Sequence, residues 1–294
     1  KTSMVYSAVS NVNDIYEPSV LTDDKIEKLD GQILSSADGG KTWNLVHDFM
    51  RPLIWLAADP NNPNRLYASI VSSGFGGIYV TNDLNKGAAS TWTRLAAPPR
   101  TQGHPLSIQV LKDGALVCSY SARRSGSPLV FTNSSGVFYS TDEGATWSDR
   151  TDVSMQFWTK DVVVDPQDAA QNTWYACVHS GYGADGSKSG TGGLYRTRNR
   201  GVTWVKIARL DRVTSCTVNS LVPDEMYVTT ESDGLWYTGN LSSDTPVFTE
   251  VFDYPYSKPQ RVFFNPYKPN EVWVTSYGNG IYSAIGTQPE APTT

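Results

Sequence analysis

The chain has 294 residues, a formal net charge of −5 and only 18% charged residues, against 9 Trp and 16 Tyr. An acidic, aromatic-rich composition suits many half-buried strands and argues against nucleic acid as a partner, since no basic run or glycine-rich phosphate loop offsets the charge. No hydrophobic run approaches the length needed to cross a membrane, and no signal peptide is visible, as expected of a mature secreted, extracellular or periplasmic chain.

The predicted elements begin with three strands in residues 4–46: Met4–Val9, Gly31–Leu34 and Trp43–Val46. Between the last two stands Ser36-Ala37-Asp38-Gly39-Gly40-Lys41-Thr42-Trp43. Asp in such a phrase accepts hydrogen bonds from the N–H groups of its own turn, Gly takes the positive-φ position, and Trp plugs the turn against the next strand. A second unit, at about 53–95, runs through the turn Asp59-Pro60-Asn61-Asn62-Pro63-Asn64, the strand Leu66–Ser69 and the strand Gly76–Tyr79, then a degenerate phrase from Thr81-Asn82-Asp83 to Thr91-Trp92. The third unit, 105–150, carries Ser140-Thr141-Asp142-Glu143-Gly144-Ala145-Thr146-Trp147, and the fourth, 157–207, carries Thr197-Arg198-Asn199-Arg200-Gly201-Val202-Thr203-Trp204. A fifth unit is drawn at 213–251 and a partial one at 261–285. The tail Gln288-Pro289-Glu290-Ala291-Pro292-Thr293-Thr294, within 287–294, reads as a Pro/Thr-rich tail or the start of a linker.

Repetition, spacing and chemistry together make the phrase similar to the Asp-box, or bacterial neuraminidase repeat, of β-propellers. The expected fold is therefore all-β, a propeller of six or seven four-stranded blades occupying residues 1–286. The strands counted fall about two short of six blades and about six short of seven. Either upstream residues or a second propeller complete the ring, or the first blade is irregular.

Strand order then locates function. In a propeller the first strand of each blade lines the central channel, and the connections from strand two to strand three share a face with the strand-one entrances. The boxes and the Asp-Pro turns lie at the opposite end, which makes Asp38, Asp59, Asp142 and Asp165 structural. The long connections Asn11–Asp30, Ser121–Ser135 and His179–Gly192 fall on the functional side, where loops on a rigid scaffold carry binding residues. At the strand entrances stand Arg51 with Trp55, His104, Trp158 with Lys160 and Asp161, Arg212, and Lys258 with Arg261. Aromatic faces stack on sugars and guanidinium forks grip carboxylates or hydroxyl pairs, so an oligo- or polysaccharide, uronic and other acidic sugars included, is the expected partner.

Sialidases are one family with such boxes, but their Arg-Ile-Pro motif has only Arg51-Pro52-Leu53 as a counterpart. Blade grammar rich in Asp-Pro turns followed by Tyr-Ala strands resembles the two-propeller xyloglucanases over nearly the whole chain. That resemblance implies a catalytic base in a short loop, whose nearest segment here is Thr230-Glu231-Ser232-Asp233-Gly234-Leu235-Trp236-Tyr237, with Glu231 in the carboxylate's place. Asp161, Asp185, Asp211, Asp14, Glu17 and Asp48 are candidates for the second carboxylate. Three readings follow: a glycoside hydrolase, or the substrate-binding part of one, acting on a plant or algal polysaccharide; a non-catalytic carbohydrate-binding or adhesion module; and a polysaccharide lyase using His104, His179 or Tyr182 as base. No cofactor or metal is expected. Cys118, Cys177 and Cys216 fall in apolar strands and read as buried small hydrophobes, with a Cys177 to Cys216 bridge conceivable between neighbouring blades.

Overall fold

The computed structural model describes residues 4–10, 30–125, 130–156, 158–180, 190–265, 267–268 and 271–285. The chain divides into two compact units, Lys1–Thr151 and Asp152–Thr294. Both are built from antiparallel meanders.

In the first unit, β1 (Val5–Ser10), β2 (Gly31–Ser36) and β3 (Asn44–Asp48) form one sheet. A second holds β4 (Leu53–Asp59), β5 (Asn62–Ile70), β6 (Gly77–Thr81) and β7 (Thr93–Arg94). The third uses β8 (Pro105–Val110), β9 (Leu116–Tyr120), β12 (Gly136–Ser140) and β13 (Ser148–Asp149), with the hairpin β10 (Arg124–Ser125) and β11 (Val130–Phe131) inserted between its second and third strands.

The second unit continues the pattern. One sheet holds β14 (Thr159–Val164), β15 (Trp174–Val178), β16 (Gly193–Thr197) and β17 (Val205–Ala208). The next holds β18 (Val213–Val218), β19 (Met226–Thr230), β20 (Leu235–Thr238) and β21 (Thr249–Glu250), and the last holds β22 (Pro259–Phe264), β23 (Glu271–Ser276) and β24 (Gly280–Ile285).

Within each unit, consecutive sheets stack face to face through one apolar cluster apiece. Ile33 and Val46 meet Leu53, Leu66, Ala68 and Ile70; Tyr67 and Ile78 meet Ile108, Cys118 and Phe138. Further along, Tyr175, Cys177 and Leu194 meet Cys216, Val218 and Val228, and Tyr227 and Tyr237 meet Val262, Val272 and Val274. Sheets that stack in this way are the six blades of a β-propeller, the all-β class that the repeats imply. The three cysteines are buried free thiols, and burial pushes the Cys118 and Cys177 thiols well above their usual range.

The boxes close the hairpin that leads into the last strand of their sheet, β2 to β3 at Asp38 and β12 to β13 at Asp142. Ser36 Oγ donates to Asp38 Oδ1 at 2.8 Å, and the same oxygen accepts from the N–H groups of Lys41 and Thr42, each at 2.9 Å. Asp142 repeats this with Ser140 and Thr146, and Gly144 sits at φ +85 where an added Cβ would lie 2.6 Å from Leu95. Hydrogen bonds to Thr42 and to Thr146 hold the Asp38 and Asp142 carboxyls at about 2. A fifth box, unmarked in the sequence, appears at Thr238 and Asn240: Asn240 Oδ1 accepts from Thr238 Oγ1 at 2.8 Å and from Val247 N at 2.9 Å.

Candidate functional site

Five first strands share one irregularity. In β4, β8, β14, β18 and β22 the pairing with the second strand slips by one residue near the start, between Leu53 and Trp55, Pro105 and Ser107, Thr159 and Asp161, Val213 and Ser215, and Pro259 and Arg261. A bulge inserts one residue and re-aims the side chains that follow it.

In the unit Asp152–Thr294 the three re-aimed residues converge. Arg261 Nη2 donates to Asp161 Oδ2 at 2.7 Å, and Ser215 Oγ reaches the same oxygen at 3.3 Å. The Asp161 side chain is 2% exposed and that of Arg261 27%. One carboxylate thus ties the starts of three successive first strands.

Beside this knot, Arg212 takes φ +48 just before β18, and its carbonyl accepts the N–H of Glu231, just after β19, at 3.0 Å. That backbone link sets the two side chains face to face, and Arg212 Nη1 donates to Glu231 Oε2 at 2.7 Å. Both are about one third exposed, at 33% and 38%. A non-glycine residue at positive φ stores local strain, which is retained where the surroundings fix the residue in place.

Trp158 and His179 form the third feature. Their rings stack at 5.8 Å and 21°, and the His179 N–H donates to the Trp158 carbonyl at 3.0 Å. Both are buried, so neither presents a ring face to solvent. Burial above all, with the nearby cations Lys160 and Arg212 adding to it, holds the His179 pKa well below its ordinary value and the imidazole neutral. Lys258 Nζ lies 5.8 Å from the Tyr277 ring centroid.

In the unit Lys1–Thr151, Arg51 Nη1 donates to the Met50 carbonyl at 2.5 Å, and its guanidinium carbon stands 5.7 Å from the Phe75 ring centroid. Trp55 is half-buried against the cluster around Tyr67 and Ile108, and His104 is buried. Among the other carboxylates, Asp48 accepts from Gln32 Nε2 at 2.6 Å and from Met50 N at 2.8 Å, while Asp211 has one carboxylate oxygen buried. Tyr182, Asp14, Glu17 and Asp185 lie outside the described residues. Among the described residues, no group of three or more His, Cys, Asp or Glu could hold a metal ion, and no helix is long and apolar enough to cross a membrane.

Chemically, the second unit's cluster offers paired acceptors and donors. A carboxylate beside a guanidinium can accept one sugar hydroxyl while the guanidinium donates to its neighbour. Asp161 and Glu231 each already accept a guanidinium N–H at 2.7 Å.

Residues 138–149 match the BNR/Asp-box repeat family. No curated protein matches the chain. Among solved structures, YCF48 from Cyanidioschyzon merolae is 16% identical, over 87% of this chain and 77% of that one, with a TM-score of 0.55. The GH74 xyloglucanase from Xanthomonas campestris is 14% identical, over 90% of this chain and 43% of that one, with a TM-score of 0.59. PorZ, a bacterial surface component of the type-IX secretion system of Porphyromonas gingivalis, is 13% identical, over 86% of this chain and 36% of that one, at 0.60. The chain therefore spans less than half of the latter two proteins. At such identities the likeness establishes the fold, an Asp-box β-propeller, and the three dissimilar neighbours show that the fold alone does not carry an activity.

Proposed function

We propose that this chain is a carbohydrate-binding propeller, acting as the substrate-binding part of a secreted glycoside hydrolase on a plant or algal polysaccharide. The observation that supports it best is the Arg212–Glu231 pair, about one third exposed and fixed by its backbone link beside the Asp161–Ser215–Arg261 knot. The pair gives a sugar ring one acceptor and one set of donors at fixed separation, so little ordering entropy is lost on binding. Because each guanidinium already carries a carboxylate, the ligand that fits is rich in hydroxyls and need not be anionic. Hydrolysis requires a proton donor in addition to Glu231. A xyloglucanase among the structural neighbours favours a glucan backbone as the first ligand to try.

Calorimetric titration of the whole chain with xyloglucan oligosaccharides, cellohexaose and alginate oligosaccharides tests this reading. Arg212→Ala and Glu231→Gln should each weaken binding of a neutral glucan by about tenfold or more, since a hydrogen bond to a charged group contributes roughly 1.5–3 kcal/mol. Added salt should change that affinity little, because the site is neutral as a pair. If both variants bind like the parent protein, the pair is structural and the reading fails. Tighter, salt-sensitive binding of alginate would mean that an acidic sugar is read instead.

A further inference from the structure

Sequence reading passes over one aromatic residue that the structure puts on display. Phe75 is 62% exposed, in the connection between β5 and β6. This connection lies at the strand-entrance end of its blade, because the Val71 N–H donates to the Pro52 carbonyl just ahead of β4. Scattered exposed apolar side chains are ordinary on protein surfaces. The setting of Phe75 is not ordinary, for two separate reasons.

The first is that its backbone is fixed. Ser72 is fully buried and organises the turn: its Oγ accepts from Gly74 N at 3.3 Å and from Phe75 N at 3.0 Å, and its carbonyl accepts from Gly76 N at 3.0 Å. The Ser72 N–H donates in turn to the Gly103 carbonyl at 3.1 Å, in the connection that leads to β8. Tyr79 clamps the other side, its hydroxyl donating to the Phe75 carbonyl at 2.8 Å. Two glycines make the close approach possible. A Cβ at Gly76 would stand 1.9 Å from the Gly103 carbonyl oxygen, and Gly103 itself sits at φ +75 with only 2.2 Å between an added Cβ and the Ser72 oxygen. An exposed ring held by so many backbone restraints has its ordering cost met before any ligand arrives.

The second is that a cation accompanies it. The Arg51 guanidinium carbon is 5.7 Å from the Phe75 centroid, and Arg51 is anchored by its bond to the Met50 carbonyl. With Arg51 over one face of the ring, the opposite face is the plate that suits a pyranose: the apolar C–H face of the sugar lies on that side, and hydroxyls at the sugar's edge accept from guanidinium N–H groups that project past the ring.

We infer that Phe75 and Arg51 form a sugar-stacking subsite for one neutral pyranose unit of a β-linked glucan, in the unit Lys1–Thr151. The inference rests on the carbohydrate reading above and adds to it a subsite and its specificity. A pyranose with all-equatorial substituents presents flat C–H faces, which suits the plate; an axial hydroxyl would lift the ring away from it.

Titration of the full chain with cellohexaose and with xyloglucan oligosaccharides, set beside mannohexaose for the axial case, tests the subsite. Phe75→Ala should raise Kd about tenfold for the glucans, the order expected when an aromatic stacking surface is removed. Phe75→Trp should restore or tighten binding, and Arg51→Gln should weaken it several-fold. Because the side chain is exposed, Phe75→Ala should melt where the parent does. In saturation-transfer NMR, the ring-face protons of one glucose unit should lose their signal in Phe75→Ala and keep it in Phe75→Trp. If Phe75→Ala and Arg51→Gln bind like the parent while Arg212→Ala weakens binding, the subsite is wrong and the carbohydrate reading survives. If Phe75→Ala loses both stability and binding and Phe75→Trp does not rescue them, Phe75 serves folding and the inference is overturned. If the parent protein binds none of the glycans, the carbohydrate reading and the subsite fall together.

Discussion

The box turns and the strand entrances both depend on aspartate, and they use it in opposite ways. Asp38 bonds to Ser36, Lys41 and Thr42, and Asp142 to Ser140 and Thr146, all within four positions of themselves. Asp161 bonds to Ser215 and Arg261, 54 and 100 positions away. The box at Asp38 or Asp142 is complete within eight residues, so it can be copied from blade to blade, and a copy tells nothing about a ligand. The Asp161 knot needs three strands in register and sets side chains that no single blade could set. Local bonding closes the turn at Asp38 and Asp142, and long-range bonding joins three strands at Asp161.

The largest test of that contrast is Asp161→Ala. It removes the carboxylate to which the Arg261 guanidinium and the Ser215 hydroxyl both donate, and breaking a buried ion pair from one side typically costs about 3–5 kcal/mol. Arg261 keeps 27% of its side-chain exposure, so water recovers part of the loss and about 3 kcal/mol is expected. Urea unfolding would read it directly, and the double variant Asp161→Ala with Arg261→Ala should regain part of the stability because no orphan charge remains. A loss of under about 1 kcal/mol would mean that solvent reaches the knot freely and that the pair behaves as a surface salt bridge.

Next in size is Asp142→Ala. The carboxylate serves the Thr146 N–H, the Thr146 hydroxyl and Ser140, so the melting temperature should fall by several degrees while glycan affinity stays at the parent value. Asn199→Ala should do the same to a smaller extent, since its amide makes uncharged versions of the same bonds with Thr203. A variant that melts like the parent yet loses binding would reverse the assignment of the two regions.

What the sequence discloses follows the same division. The boxes at Asp38, Asp142 and Asn199 are legible because their chemistry is local, and the propeller class follows from their repetition. The box at Asn240 is hidden because its partner Val247 lies seven positions on, replaces the usual Thr and lends only its N–H. The bulges ahead of Asp161, Ser215 and Arg261 have no composition of their own; an extra residue is visible only against a partner strand. The cations are legible as a group, but the pairing of Arg261 with Asp161 and of Arg212 with Glu231 is not. Trp158 read as a sugar platform and is instead covered by His179. Phe75, in the run Ser72-Ser73-Gly74-Phe75-Gly76-Gly77, carries no signal in the sequence because exposure is a property of the folded blade.

The smallest effect, and the one that separates the two regions within a single protein, is the dependence of stability on pH. His179 has a folded pKa well below its model-compound value of 6.5, through burial first and then the charges of Lys160 and Arg212. The unfolded chain therefore takes up a proton before the folded one does, and stability should fall as pH drops below about 6.5, by no more than about 1.4 kcal/mol per pH unit for one proton. The box carboxyls act in a lower window. Asp38 and Asp142 titrate at about 2 in the fold against 3.8 unfolded, so their contribution is fully present above about pH 4 and is lost as pH falls through about 2. Melting curves from pH 7 to pH 2 should accordingly show two declines. His179→Gln should flatten the upper one and leave the lower; Asp142→Ala should shallow the lower one and leave the upper. An upper decline unchanged in His179→Gln would place that proton elsewhere, and with it the electrostatic description of the strand entrances around Arg212.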